Sequence, residues 1–334
     1  MSWEFLSEKD AINVIWPCAA PRLKEGVTLQ QFIEKLNAVV QSYGLAGITC
    51  HPEIVNPSCS FGHYYANNDQ YRAQFLREAL IDPSHKAIWV GRGGFGAIEI
   101  IQIFEQESFG LPKRIIPLIG FSDVTALHLF AAKYQWPTLH APVANHNSEM
   151  HEMAIGKNNN TSIQLLIDIL KGNVQELEYS LEVLNPDTLQ HYPLKQPIST
   201  KVLGGNFSVI QRSIGTSTQL NAKDSVLFFE DTGENIVRLR SLLNGVARTG
   251  MFDQVTAIFF GDLPVTGGNL KDLLIDFSQV LKAVRKIHKP ILLGRGFGHG
   301  TINQILPLGT LSSLEFISKE EATLKISTHK SAYS

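Results

Sequence analysis

Four polar residues stand where an α/β chain exposes reactive groups. Ser122 lies within IPLIGFSDVTALHLFAAK, Ile116 to Lys133. This stretch reads as a short apolar strand, a bend eased by Gly120, and a helix with Val124, Leu127, Leu129 and Phe130 to bury. A serine on such a strand-to-helix turn is held rigidly, with its hydroxyl exposed beside the outward N–H groups of the helix start. That is the physics of a nucleophile elbow, although the GxSxG pattern is absent. The same position also suits a plain helix cap, so the turn alone leaves both roles open. A nucleophilic serine needs an imidazole to take its proton and a carboxylate to fix that imidazole's tautomer. Glu230 in SVLFFEDTGE ends an apolar strand-like run, and KPILLGRGFGHG is expected as a short strand opening into a glycine-rich loop that holds His299. Taken singly, His299 also reads as a loop histidine, and Glu230 as a cap or ion-pair partner. Arg92 is the fourth, inside GRGGFG, Gly91 to Gly96, directly after the buried run Ala87 to Val90.

Other chemistries fit less well. Glycines this dense after a strand permit close backbone approach. Their spacing is not that of a dinucleotide fingerprint, and no lysine follows as in a phosphate-binding Walker loop. A loop that offers N–H groups to an anionic intermediate suits the position better. His140, His146 and His151 lie close together, but their spacing matches neither HExxH nor a cysteine–histidine zinc set. Cys18, Cys50 and Cys59 form no disulfide framework and no repeated CxxC pair.

The elements that must position these residues follow a strand-helix rhythm. Ala11–Trp16, Leu29–Gly44 and Leu45–Ile54 make a strand, helix, strand unit, which favours a parallel sheet. Helices are expected from Asn67–Asp69 to Leu80, from Ala97 to Phe104 and over 161–170. From Val174 to Thr200 short alternating runs broken by Pro186, Pro193 and Pro197 replace that rhythm. This change divides the chain into a first domain over 1–150, a crossing segment over 151–199 and a second domain over 200–334. In the second domain, short helices are expected over Asn206–Ile214 and Val237–Gly245, and a longer one over Asn269–Arg285. ILPLGTLSSLEF is expected as a hairpin or edge strand, and the polar tail after Ile326 as frayed. The 334 residues exceed what one core usually fills. A net charge of −2 gives no field drawing the protein to nucleic acid or an anionic membrane. No run approaches a membrane span and no basic leader precedes an apolar core, so a cytoplasmic enzyme is expected.

GRGGFG followed by GFSDVTALH, with GGNFSVI, LFFEDTGE and GRGFGHG…LPLG, resembles the serine L,D-carboxypeptidases, the LD-carboxypeptidase A or muramoyltetrapeptide carboxypeptidase family. The likeness spans about residue 11 to 313. It implies an α/β fold with a doubly wound, flavodoxin-like N-terminal parallel-sheet domain and a smaller mixed α/β C-terminal domain. It implies Ser122 as nucleophile, Glu230 and His299 as its partners, and an oxyanion hole from Gly93 or Gly94 with Asp123. Arg92 would bind the substrate carboxylate or brace the glycine loop. The implied reaction releases the C-terminal D-alanine of muramyl tetrapeptides in peptidoglycan recycling, by a cytoplasmic homodimer without metal or organic cofactor. A microcin C-type self-immunity hydrolase acting on peptidyl or aminoacyl nucleotide analogues lies within the same resemblance. It would want an aromatic platform, for which Tyr64, Tyr65, Trp136 and Phe252 are available. A non-catalytic nucleotide-binding protein is the alternative of another class. His140-Ala141-Pro142 stands for the family's histidine-glycine-proline, Phe95 and Phe121 for frequent tyrosines, and GHYYANNDQYR for a simpler GxxAGxDxxR. Ser122 belongs to one domain and its two partners to the other, so they must meet across the interface within roughly 2.6–3.2 Å.

Overall fold

The computed structural model describes residues 2–154 and 163–333. In the first half β1 (Ala11–Ile15), α1 (Leu29–Ser42), β2 (Gly47–Thr49), α2 (Asp69–Ile81), β3 (Ile88–Val90), α3 (Ala97–Gln106), β4 (Leu118–Gly120), α4 (Thr125–Lys133) and β5 (Thr138–His140) alternate along the chain. α5 (Ile163–Leu170) follows; the first two residues of the helix expected over 161–170 lie outside the described residues. Local chemistry sets the helix limits. Thr28 and Gln31 close a reciprocal capping box at the start of α1, and Phe32, Leu36, Val39 and Val40 put one face into the core. The five strands are parallel, in the order β5-β4-β3-β1-β2. This is the doubly wound flavodoxin-like order, which reverses between β1 and β3 and leaves a crevice at their carboxyl ends. β3, β4 and β5 are buried along their whole length, as strands covered on both faces must be.

The second half contains β6 (Glu176–Val183), β7 (Ile198–Thr200), β8 (Val202–Asn206), α6 (Phe207–Ser213), β9 (Val226–Glu230), β10 (Glu234–Asn235), α7 (Ile236–Ala247), β11 (Ala257–Asp262), β12 (Val265–Thr266), α8 (Leu270–Arg285), β13 (Ile291–Gly298), β14 (Leu306–Leu308), β15 (Thr310–Phe316) and β16 (Glu321–Ser331). Eight of these strands form a mixed sheet in the order β7-β15-β16-β6-β13-β11-β9-β8. β8, β9, β11 and β13 are parallel, and their apolar runs place Phe228, Phe229, Phe259 and Phe260 in the cores on the two faces. β10 and β12 make a separate parallel pair. The segment over 151–199 thus supplies β6 and the first two residues of β7 to this sheet. Among the described residues no helix is long and apolar enough to cross a membrane.

Two expectations are corrected. The tail after Ile326 is not frayed: β16 continues to Ser331, paired with β6 as far as Ser327↔Glu176 and with β15 at Thr310↔Ser331. Polar side chains there find partners, as when Thr328 Oγ1 donates to the Val174 carbonyl at 3.0 Å, so polarity did not mean solvent. The run expected as a short strand opening into a glycine-rich loop is instead an eight-residue strand, β13, continuing through Gly294 and Gly296 to Gly298. Packing requires the first of these glycines: a Cβ on Gly294 would lie 2.7 Å from Leu181 and Phe259 side-chain atoms.

The halves are joined closely. β14 leaves the second half and pairs antiparallel with β5, Leu306↔His140 to Leu308↔Thr138, as the edge of the first sheet. The Asn206 N–H donates to Thr125 Oγ1 at 2.9 Å, and a Cβ on Gly205 would lie 2.5 Å from that oxygen. Leu129 of α4 packs with Phe207 and Ile210 in a core of the second half, a burial contributing about 2 kcal/mol.

Candidate active site

Ser122 follows β4 at a left-handed turn, with φ of 65°. Holding a serine there costs about 1–3 kcal/mol, which the surrounding packing must offset. Gly120 permits the turn, since a Cβ on it would meet Val124 at 2.9 Å. The Ser122 hydroxyl caps neither the short helical turn Ser122–Val124 nor α4. It lies 3.3 Å from His299 Nε2. His299 follows β13, and its Nδ1 lies 2.6 Å from Glu230 Oε2, at the end of β9. The three residues from two sheets therefore form one chain of contacts.

Each member is fixed from behind. Gly298 has φ of 111°, and a Cβ on it would lie 2.4 Å from Glu230 Oε2, so only glycine lets the His299 strand approach the carboxylate. The Gly298 N–H donates to Asn303 Oδ1 at 2.8 Å, and the Gly296 N–H to Asp262 Oδ1 at 3.2 Å. Glu230 is fully buried, which alone would raise its carboxyl. The adjacent His299 imidazole, with His140, outweighs that burial and holds it down at about 2.

The glycine loop after β3 meets the serine directly. A Cβ on Gly93 would lie 3.0 Å from Ser122 Cβ and 3.3 Å from its Oγ. A Cβ on Gly94 would instead lie 2.6 Å from the Tyr64 hydroxyl and 2.7 Å from Ala19 Cβ. Asp123 Oδ2 accepts the Ala97 N–H at 3.0 Å, tying the serine turn to the start of α3. Arg92 Nη1 donates to the Ala20 carbonyl, and its guanidinium lies 5.8 Å from the Tyr64 ring centroid. Buried Arg72 holds the other end of the loop, donating to the Pro17 carbonyl and, at 2.6 Å, to the Gly96 carbonyl. A cavity of about 220 Å³ opens on Ser122 and His299 and is bordered by Arg22, Arg92 and His146. Neither arginine pairs with a carboxylate among the described residues. A second cavity of about 730 Å³ touches His299 and Gly300 and reaches Asp262, Lys271 and Arg295.

The three clustered histidines do not converge. His140 is buried beside Glu230, His146 borders the smaller cavity, and His151 is exposed, its Nδ1 3.2 Å from the Ser148 carbonyl. Trp136 and Phe252 are buried in the cores and provide no platform for a base, which leaves Tyr64 and Tyr65 of the four aromatics. Sequence reasoning missed Asn303, Asp262, Arg22 and the supporting part of Arg72. Asp262 ends β11 as Glu230 ends β9, so the strand-end rule could have found it; Asn303 carried no such signal.

Burial also predicts acid lability. It holds His128 at about 3 and His146 at about 4. The unfolded chain takes up these two protons near pH 6.5 and the folded one does not, so stability falls as pH drops below about 6.5. Asp123, raised by burial to about 6, works in the opposite sense between about 6 and 3.9. Two histidines against one aspartate should leave the urea midpoint lower at pH 5 than at pH 7. An equal or higher midpoint at pH 5 would show that these imidazoles are protonated in the folded protein.

Residues 12–141 match the LD-carboxypeptidase N-terminal domain and residues 199–314 the LD-carboxypeptidase C-terminal domain. A protein of Rickettsia conorii named as a carboxypeptidase is 30% identical over 252 residues, 75% of each chain. The murein tetrapeptide carboxypeptidase of Pseudomonas aeruginosa is 25% identical over 261 residues, covering 75% of this chain and 80% of that one. The crystal structure of muramoyltetrapeptide carboxypeptidase from Oxalobacter formigenes superposes with a TM-score of 0.70 at 19% identity, covering 95% of this chain and 98% of the other. A microcin self-immunity protein in complex with aspartyl sulfamoyl adenosine shares the fold at a TM-score of 0.71, 19% identity and 98% coverage of both chains.

Proposed function

The chain belongs to the LD-carboxypeptidase family, and from that premise we propose that it is a serine hydrolase releasing the C-terminal D-alanine from muramyl tetrapeptides. The observation that carries the reading is the contact chain Ser122 Oγ to His299 Nε2 at 3.3 Å and His299 Nδ1 to Glu230 Oε2 at 2.6 Å. Ser122 Oγ attacks the carbonyl of the L,D-bond while His299 Nε2 takes its proton. Glu230 holds the Nδ1–H tautomer and stabilises the imidazolium. The main-chain N–H groups of Asp123 and of Gly93 or Gly94 receive the oxyanion. His299 then protonates the D-alanine amine, the C–N bond breaks, and an ester to Ser122 remains. Water, deprotonated by His299, hydrolyses that ester and restores the serine.

The basic cavity favours a substrate with a free carboxylate. Arg22 and Arg92 border it without carboxylate partners among the described residues, and about 220 Å³ suits a single small residue. Arg92 is held to the Ala20 carbonyl, which favours its bracing role in the glycine loop. A cytoplasmic homodimer acting in peptidoglycan recycling is the setting we propose.

The test is D-alanine release from a muramyl tetrapeptide, from its C-terminal amide and, in parallel, cleavage of an aminoacyl sulfamoyl adenylate. Hydrolysis of the free acid with a higher KM for the amide is expected. Activity confined to the adenylate would transfer the site to self-immunity chemistry. Saturable binding of NAD, ATP or a UDP-sugar with no hydrolysis of any of the three would make it a nucleotide-binding protein.

A further inference from the structure

The polar chain does not stop at Glu230. Its Oε2 faces His299, while its Oε1 is buried without a hydrogen-bond partner among the described residues. Oε1 lies 3.8 Å from Nε2 of His140, the last residue of β5, which is also fully buried and has neither ring nitrogen hydrogen-bonded to a described residue. Two unpaired polar groups facing each other in a dry interior are costly apart. Closing the gap by about 1 Å would give an ordinary hydrogen bond. The strand geometry holds them together: His140 is fixed by its pairing with Gly120 of β4 on one side and Leu306 of β14 on the other. Its ring packs edge-on to Phe228, 5.1 Å away, and to Phe121, 6.0 Å away.

We propose that His140 is a positioning residue that donates from Nε2 to Glu230 Oε1, so that the other carboxylate oxygen stays on His299 Nδ1. The inference rests on the serine hydrolase reading above. In its neutral form His140 has one N–H, and Glu230 selects the tautomer that carries it on Nε2. The donor stabilises a buried anion while His299 is neutral and accepting the serine proton. Without it, the anion is less well supported in that state than when His299 is protonated and pairs with it. Protonation of the His299–Glu230 pair then becomes easier, and the acid limb of activity moves to higher pH. The other titratable groups around His140 are His128 on α4, with ring centroids 6.4 Å apart, and, beyond Phe121, His299 and His146. His128 Nε2 is engaged with the Gly120 carbonyl at 3.0 Å, and its Nδ1 has no hydrogen-bond partner among the described residues, so no hydrogen bond joins it to His140.

The test compares His140→Phe, which keeps a ring for Phe228 and Phe121, with His140→Gln, whose amide reaches the place of Nε2. The readout is the pH dependence of Ser122 labelling by a fluorophosphonate, which needs the serine–histidine pair but no particular peptide, alongside tetrapeptide hydrolysis. His140→Phe should slow labelling about tenfold to a hundredfold and shift the acid limb upward. His140→Gln should recover most of the rate and return the limb. In a Glu230→Gln background, His140→Phe should add little further loss. An unmoved acid limb, equal losses in Phe and Gln variants, or a full additional loss in the Glu230→Gln background would each overturn the inference. A wild-type protein that the reagent labels nowhere would instead overturn the serine hydrolase reading itself. Should His140→Phe fail to fold, the downfield imidazole N–H resonances of the wild-type protein decide. A proton assigned to His140 Nε2 supports the bond, and a His140 protonated only on Nδ1 excludes it.

Discussion

Ser122→Ala should abolish D-alanine release, lowering kcat by about 10⁴-fold or more while the protein stays folded. The expectation follows from the isolation of the hydroxyl. Ser122 caps no helix, so among the described residues its removal takes away no side-chain hydrogen bond except the contact with His299. Alanine keeps the left-handed turn at φ of 65° and its strain, so the melting temperature should hardly move. Ser122→Gly makes a useful contrast. It should be equally inactive yet more stable by about 1 kcal/mol, because glycine adopts that turn freely. Inactivity paired with stabilisation is the signature of a residue kept under strain for chemistry. Residual hydrolysis within tenfold of wild type in Ser122→Ala would remove the serine from the reaction.

Glu230→Gln should be nearly as damaging, by about 10³ to 10⁴-fold in kcat, although the shape of the side chain is retained. A glutamine can donate its amide N–H to His299 Nδ1. That would favour the tautomer with hydrogen on Nε2, facing Ser122 Oγ 3.3 Å away, where it cannot accept the serine proton. The same variant carries a pH signature. Glu230 titrates at about 2 in the folded protein and near 4.3 when unfolded. A carboxyl lowered by folding contributes stability above its unfolded value and loses it as pH falls toward the folded one. Glu230→Gln should therefore flatten the acid destabilisation between about pH 4.3 and 2, leaving the histidine-driven loss at higher pH in place. Unchanged activity in Glu230→Gln, or an unchanged acid profile, would show that His299 finds its orienting partner elsewhere.

The sequence alone determined much of this protein because its signals are local. A buried parallel strand must be an unbroken apolar run, and a tight strand-to-helix bend must carry small or strained residues. Such runs and bends mark β3, β4, β9 and the turns holding Arg92, Ser122 and Glu230. Family resemblance, carried by several such turns in order, added the roles that no single turn could assign. Where local signals mislead, the reason is equally physical. The tail after Ile326 looked solvated because its side chains are polar, yet Ser327 pairs with Glu176 of β6, the Thr328 N–H donates to the Gln175 carbonyl at 3.0 Å, and Ser331 pairs with Thr310 of β15. Only the tertiary structure decided that Ser122, in one sheet, lies 3.3 Å from His299, in the other. It does so through β14, which crosses back to pair with β5 and anchors the far end of the segment that follows His299. It also decided that Asp262 holds the Gly296 N–H, and that His140 faces the second oxygen of Glu230. Hydrogen bonds and buried pairs between residues tens to hundreds of positions apart leave no periodicity in the chain, so they become legible only when the fold brings them into contact.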